Sequence, residues 1–209
     1  MENRINELVQ SLLDVNRIKS IGILNDCNNG IESLDLIEKL IVPVMKRIGD
    51  GWENGTVALS QVYMSGKLIE EWVNTILPTS DSKRKNQPNM AIAVLEDYHM
   101  LGKRIIYSIL RASGFNLRDY GHVNVSELVN KIKEDKLEVI LISTLMLPSA
   151  LKIKSLKEEL IKNNIMVKII VGGAPFRFDN QLWKEVGADA EVINANDTIS
   201  IIEEVIKKK

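Results

Sequence analysis

One cysteine, two histidines and no long apolar run: each shortage in this chain closes off a class of protein. The lone Cys27 cannot form an internal disulfide and suits a reducing compartment, which excludes a disulfide-stapled secreted scaffold. No stretch approaches the ~20 apolar residues of a membrane span, and Met1-Glu2-Asn3-Arg4 does not read as a signal peptide. A cytoplasmic protein that neither crosses nor binds a membrane is therefore expected. An excess of one charge is missing too. With 27 basic and 28 acidic residues the formal net charge is −1, which leaves no global electrostatic reason to bind nucleic acid. No G-x-G-x-x-G follows the first apolar run, so a dinucleotide cofactor is not expected.

What is present is enough apolar material for real cores, at 45% hydrophobic and 26% charged residues. The 209 residues fit two domains of ordinary size. Ile5, Leu8, Val9, Leu12 and Leu13 recur at helical spacing, and a short helix is predicted over 17–26 before Asn28-Asn29-Gly30. Leu34, Ile37, Leu40, Ile41, Val44, Met45 and Ile48 mark a longer helix, which Pro43 should kink by removing a backbone hydrogen bond. A fourth helix is predicted over 58–77. Four helices with short connections form an antiparallel bundle. From Pro78 to Pro88 nothing is apolar except the bounding prolines, which predicts a solvated linker and the boundaries 1–78, 79–88 and 89–209.

Beyond the linker, strands alternate with helices. Strands are predicted over 90–95, 116–120, 137–142, 165–171 and 188–193, and helices over 103–112, 125–133, 151–161, 181–186 and 198–206. Five such units predict an α/β domain, a doubly wound five-stranded parallel sheet with helices on both faces.

The loop after the first strand, Glu96-Asp97-Tyr98-His99-Met100-Leu101-Gly102, contains D-x-H-x-x-G. Ligand sites in open α/β sheets gather at this carboxyl edge. A neutral imidazole is a common metal ligand, and Asp97 stands two residues away to orient the second nitrogen of His99. Gly102 has no Cβ, so a large flat ligand can lie close to the start of the helix. The second histidine, His122, is assigned no ligand role.

In this setting Asp97, His99 and Gly102 resemble the cobalamin-binding domain of corrinoid methyl-carrier proteins and methionine synthases, and the resemblance extends over nearly the whole chain. It implies a Rossmann-like cobalamin-binding domain preceded by a helical cap, with His99 as lower axial ligand of cobalt in place of the cofactor's own benzimidazole. Tyr98 and Met100, inside the motif, join the expected cofactor contacts. Ser143-Thr144-Leu145 resembles the family's S-x-L segment, which implies that Ser143 lines the tunnel for the displaced nucleotide tail, beside Leu145. Ser149 matches a second serine that bonds the aspartate and completes a relay of His99, Asp97 and Ser149. Leu147 stands where methionine synthases carry threonine. Gly172-Gly173 resembles a glycine pair that lets the tail pass close to the backbone.

In the helical part the resemblance is strongest around Trp52 and from Gln61 to Ile69. It implies apolar cover over the upper face of the corrin, with Met64 in direct contact and Trp52 beside it. Light-sensing cobalamin regulators carry a Glu-His pair where this chain has Gln61 and Val62, so a photoreceptor is not expected.

The resemblance thus implies cobalamin as cofactor and a carrier, not catalytic alone. Such a carrier takes a methyl group from a donor-specific methyltransferase to an acceptor methyltransferase of the tetrahydrofolate or coenzyme M type, and depends on a reductive activase. The alternative is a cobalamin-dependent sensor or regulatory protein acting through partner binding. A cap preceding the sheet argues against the cobalamin subunit of a carbon-skeleton mutase.

Overall fold

The computed structural model describes residues 1–28, 30, 31, 33–76 and 87–207. Most of the expected linker, together with Lys208 and Lys209, lies outside the described residues. The chain forms two compact units, Met1–Asn86 with Ser108–Asn116, and Gln87–Tyr107 with Leu117–Lys209.

The first unit is helical: α1 (Glu2–Leu13), α2 (Arg17–Asn28), α3 (Ser33–Leu36), α4 (Val42–Glu53) and α5 (Leu59–Ile76). α3 and α4 run into each other through a π-helical turn, Ile37–Ile41. The turn ends two residues before Pro43, which occupies the first turn of α4. A proline lacks the N–H that would continue the ladder and its ring crowds the carbonyl four residues back, and a widened turn relieves both. The expected kink therefore takes the form of a π turn, and four helical rods remain. Their facing sides bury Leu8, Leu12, Leu24, Leu36, Leu40, Ile41, Ile48, Ile69 and Val73. Gln61 fixes the start of α5: its Oε1 accepts from the Ala58 N–H at 2.9 Å, and its Nε2 donates to the Leu13 carbonyl at 2.9 Å.

The second unit is a sheet of five parallel strands, β1 (Met90–Leu95), β2 (Leu117–Val123), β3 (Val139–Ser143), β4 (Lys168–Gly172) and β5 (Ala190–Val192), in the order β2-β1-β3-β4-β5. All six residues of β1 are buried, as a central strand covered on both faces requires. The helices of this part of the chain are α6 (Leu101–Ala112), α7 (Val125–Glu134), α8 (Leu147–Lys162), α9 (Ala174–Phe178), α10 (Leu182–Glu185) and α11 (Thr198–Lys207). α6 leads from β1 to β2, whereas α7 and α8 lead in the opposite direction across the sheet. Right-handed crossovers then place α6 on one face and α7 and α8 on the other. The latter face holds a continuous core of Ala91, Ala93, Ile140, Ile142 and Val171 from the strands with Leu128, Ile132, Ile153 and Leu156 from the helices.

Two boundaries differ from expectation in ways that affect the site. β2 does not stop at Gly121; it bulges. Ile92 pairs with Asp119 and Ala93 with Gly121, so Tyr120 is the extra residue, and Gly121 takes φ 67°, which glycine adopts without strain. Helix α8 starts at Leu147 rather than Leu151, because Pro148 fits the first turn of a helix, where its missing N–H costs nothing.

Candidate functional site

The strand order reverses between β1 and β3, since β1 continues to β2 on one side while β3 lies on the other. Loops leaving the two strands diverge at such a switch point and open a crevice at the carboxyl edge. Asp97, Tyr98, His99 and Met100 lie in the first of these loops, and Thr144, Leu145 and Met146 in the second.

The first loop opens with a sharp turn. Glu96 has φ 45°, the left-handed region that a non-glycine residue seldom adopts. Both sides hold it there: its N–H donates to the Val123 carbonyl at 2.9 Å, and its own carbonyl accepts from Ser149 Oγ at 2.9 Å. Ser149 was expected to bond Asp97 and complete a relay. Its hydroxyl goes to Glu96 instead, because the early start of α8 puts Ser149 in the helix's first turn, against that carbonyl.

Asp97 is 3% exposed and fully engaged. Oδ2 accepts from the N–H groups of Leu145 at 2.8 Å and Met146 at 3.1 Å; Oδ1 accepts from the His99 N–H at 3.1 Å and lies 2.6 Å from His99 Nδ1. Burial by itself would raise this carboxyl. The bonds from the His99 ring and from the three N–H groups outweigh burial and hold Asp97 well below the usual carboxylate range. An ionised carboxylate only accepts, so a neutral His99 carries its proton on Nδ1 and presents a lone pair at Nε2. Nε2 has no hydrogen-bond partner among the described residues, and the His99 side chain is 56% exposed.

A depressed folded value means that the Asp97 contribution to stability is complete above the ordinary value of 3.8 and is lost as pH falls toward the folded value. Asp97→Asn is therefore expected to flatten the acid limb of the stability curve below about pH 4, where the unaltered protein weakens steeply. Denaturant melts of the protein without cofactor between pH 2.5 and 6 check this. Parallel acid limbs would refute it.

Around this pair the two loops present Tyr98, Leu101, Leu145, Met146 and Leu147, each between 45% and 82% exposed. Such a concentration of apolar side chains at a sheet edge suits a flat apolar ligand. Among the described residues no group of three or more His, Cys, Asp or Glu side chains converges. A metal held at His99 must bring its other ligands with it, as a macrocyclic complex does.

At the neighbouring strand ends the backbone is tight. A Cβ on Gly102 would lie 3.4 Å from Ser143 Oγ, one on Gly172 3.1 Å from the Val192 carbonyl, and one on Gly173 only 1.7 Å from the Thr144 carbonyl. Thr144 Oγ1 is buried and has no hydrogen-bond partner among the described residues.

Comparison with known proteins agrees with this geometry. Residues 90–202 match a family described as a B12 binding domain, and residues 3–77 match a second family of the same description. A monomethylamine corrinoid protein of Methanosarcina barkeri is 33% identical over 190 residues, covering 85% of this chain and 85% of its own. The chain belongs to the B12-binding domain family. Cobalamin is accordingly its cofactor. The B12-binding fold is also that of a cobalamin-binding protein from Desulfitobacterium hafniense, with a TM-score of 0.77 at 22% identity over 96% of this chain and 98% of that one. It matches the methanol:cobalamin methyltransferase complex of Methanosarcina barkeri as well, with a TM-score of 0.73 at 20% identity over 100% of this chain and 81% of that one.

Within the B12-binding sheet unit, the residues singled out from sequence gather at the strand ends: Asp97, Tyr98, His99, Met100 and Gly102 after β1, Ser143, Leu145, Leu147 and Ser149 around the end of β3, and Gly172 and Gly173 at the end of β4. Trp52 and Met64 belong to the helical unit, half-buried on α4 and exposed on α5. Sequence reading missed Glu96, whose left-handed turn has no glycine to announce it. It also missed Lys103, which is 2% exposed and pairs with the Asp119 carboxylate. Lys103 looks like one more solvated charge on an amphipathic helix, and its partner lies on the next strand.

Proposed function

We propose that the protein is a corrinoid methyl carrier that holds cobalamin at the carboxyl edge of its sheet with His99 Nε2 as the lower axial ligand. A donor-specific methyltransferase and an acceptor methyltransferase of the tetrahydrofolate or coenzyme M type are its partners, with a reductive activase as the third. The observation that carries the reading is the pair formed by buried Asp97 and exposed His99, which leaves one imidazole nitrogen without a hydrogen-bond partner among the described residues. The relative named for monomethylamine supports a methylated amine as the donor's substrate.

The corrinoid, when bound, supplies the methyl-transfer chemistry at its cobalt. The protein's residues do the rest. Asp97 fixes the tautomer and direction of His99. Tyr98, Met100, Leu101, Leu145 and Leu147 shed water from the lower face. Ser143, Gly172 and Gly173 accommodate the nucleotide tail, and the unpartnered Thr144 hydroxyl nearby supports a polar guest there.

Reconstitution with hydroxocobalamin of protein carrying nitrogen-15 histidine tests the reading. Spectroscopy of the bound cofactor is expected to show a protein nitrogen on cobalt and the benzimidazole displaced. Retention of the cofactor's own base on the metal would refute it.

A further inference from the structure

We propose that His122 is a positioning residue for His99, acting through Tyr98; the inference rests on His99 as the axial ligand. Tyr98, between Asp97 and His99 in sequence, stacks its ring on the His122 imidazole with centroids 4.5 Å apart and planes 10° apart. Tyr98 is otherwise 82% exposed, so this stack is the ring's one aromatic contact among the described residues.

The loop bearing His99 is held from both neighbouring strands. From the β3 side, the N–H groups of Leu145 and Met146 grip the Asp97 carboxylate and Ser149 grips the Glu96 carbonyl. From the β2 side, the Val123 carbonyl holds the Glu96 N–H, and the adjacent His122 holds the Tyr98 ring. The first set fixes Asp97 and Glu96. Between Asp97 and His99 the stack adds an anchor from β2 to the bonds that join the Asp97 carboxylate to the His99 N–H and ring.

His122 is in position because of the bulge. One extra residue in β2 shifts the alternation of side chains, so that His122, not Gly121, stands opposite Val94. The bulge is itself braced: Asp119 Oδ1 accepts from the Gly121 N–H at 2.8 Å, and the Asp119 carboxylate pairs with buried Lys103 at the start of α6. A continuous set of contacts thus runs from Lys103 through Asp119, the bulge, His122 and Tyr98 to the ligand loop.

The test uses the full chain loaded with cobalamin and reduced to the paramagnetic cobalt(II) state, with nitrogen-15 histidine. Electron paramagnetic resonance then reads the proportion of cobalt carrying a protein nitrogen. His122→Ala is expected to lower the ratio of coordinated to released histidine roughly 2- to 10-fold, the worth of one aromatic pair. His122→Phe keeps a planar ring and is expected to restore it. A merely structural role would instead change the melting temperature of the cofactor-free protein and leave the ratio unmoved.

If the unaltered protein shows the nitrogen and His122→Ala shows the same ratio, this inference falls and His99 stands. The same holds if His122→Phe fares no better than His122→Ala. If the unaltered protein shows no protein nitrogen, or if His122→Ala removes it while His99→Ala keeps it, both readings fall.

Discussion

Gly173→Ala is expected to destabilise the cofactor-free protein by roughly 2 to 6 kcal/mol, from backbone strain and overpacking of about 1 to 3 kcal/mol each. Gly173 has φ 127° and ψ −179°, a conformation nearly closed to residues with a Cβ. The added methyl would also sit 1.7 Å from the Thr144 carbonyl oxygen. That oxygen cannot easily retreat, because the Thr144 N–H is bonded to the Gly172 carbonyl at 3.0 Å and ties the two strand ends together. Against a total stability of about 5 to 15 kcal/mol such a loss is a large share. Gly102→Ala is the comparison: its Cβ would meet only a serine hydroxyl at 3.4 Å, which can rotate, so the fold should survive. Chemical denaturation of both variants without cobalamin reads the difference. A Gly173→Ala protein within 1 kcal/mol of the unaltered one would show that the strand ends are slack.

The same junction shows what the sequence could and could not disclose. β1 was legible because all six of its residues are apolar and bounded by polar groups, the pattern of a central parallel strand. Gly121 misled, since a glycine after a polar run looks like a strand end, whereas here it serves a bulge that pairing with β1 imposes. α9 was missed because five residues leave no periodicity to read. At the site, Asp97 and His99 were legible because they are two residues apart and both carry a side-chain signature. The other partners of Asp97 are backbone N–H groups of residues 145 and 146, and the partner of Ser149 is a backbone carbonyl. Backbone groups are the same at every position, so nothing in the sequence marks them. The stack of Tyr98 on His122 joins a loop to a neighbouring strand, a proximity that only the fold creates.

His99→Ala is expected to keep the fold, lose protein nitrogen on cobalt and weaken cobalamin binding by at least ~10- to 100-fold, the range already reached when only a partner of a metal ligand is removed. The side chain is 56% exposed and its one side-chain hydrogen bond among the described residues runs to Asp97, so its removal opens no core cavity. Asp97 keeps its bonds from Leu145, Met146 and the His99 backbone, none of which depends on the imidazole. The cost therefore falls on the cofactor. Asp97→Asn should be milder in coordination, because the ligand remains and a carboxamide oxygen can still accept, but Nδ1 loses its charged partner. His122→Ala should lie between the unaltered protein and His99→Ala. Ultraviolet-visible titration of the three variants with hydroxocobalamin, beside melting curves without it, separates these outcomes. Unaltered affinity and spectrum in His99→Ala would remove His99 from the metal, and with it the corrinoid site as drawn from Asp97, Tyr98 and the turn at Glu96.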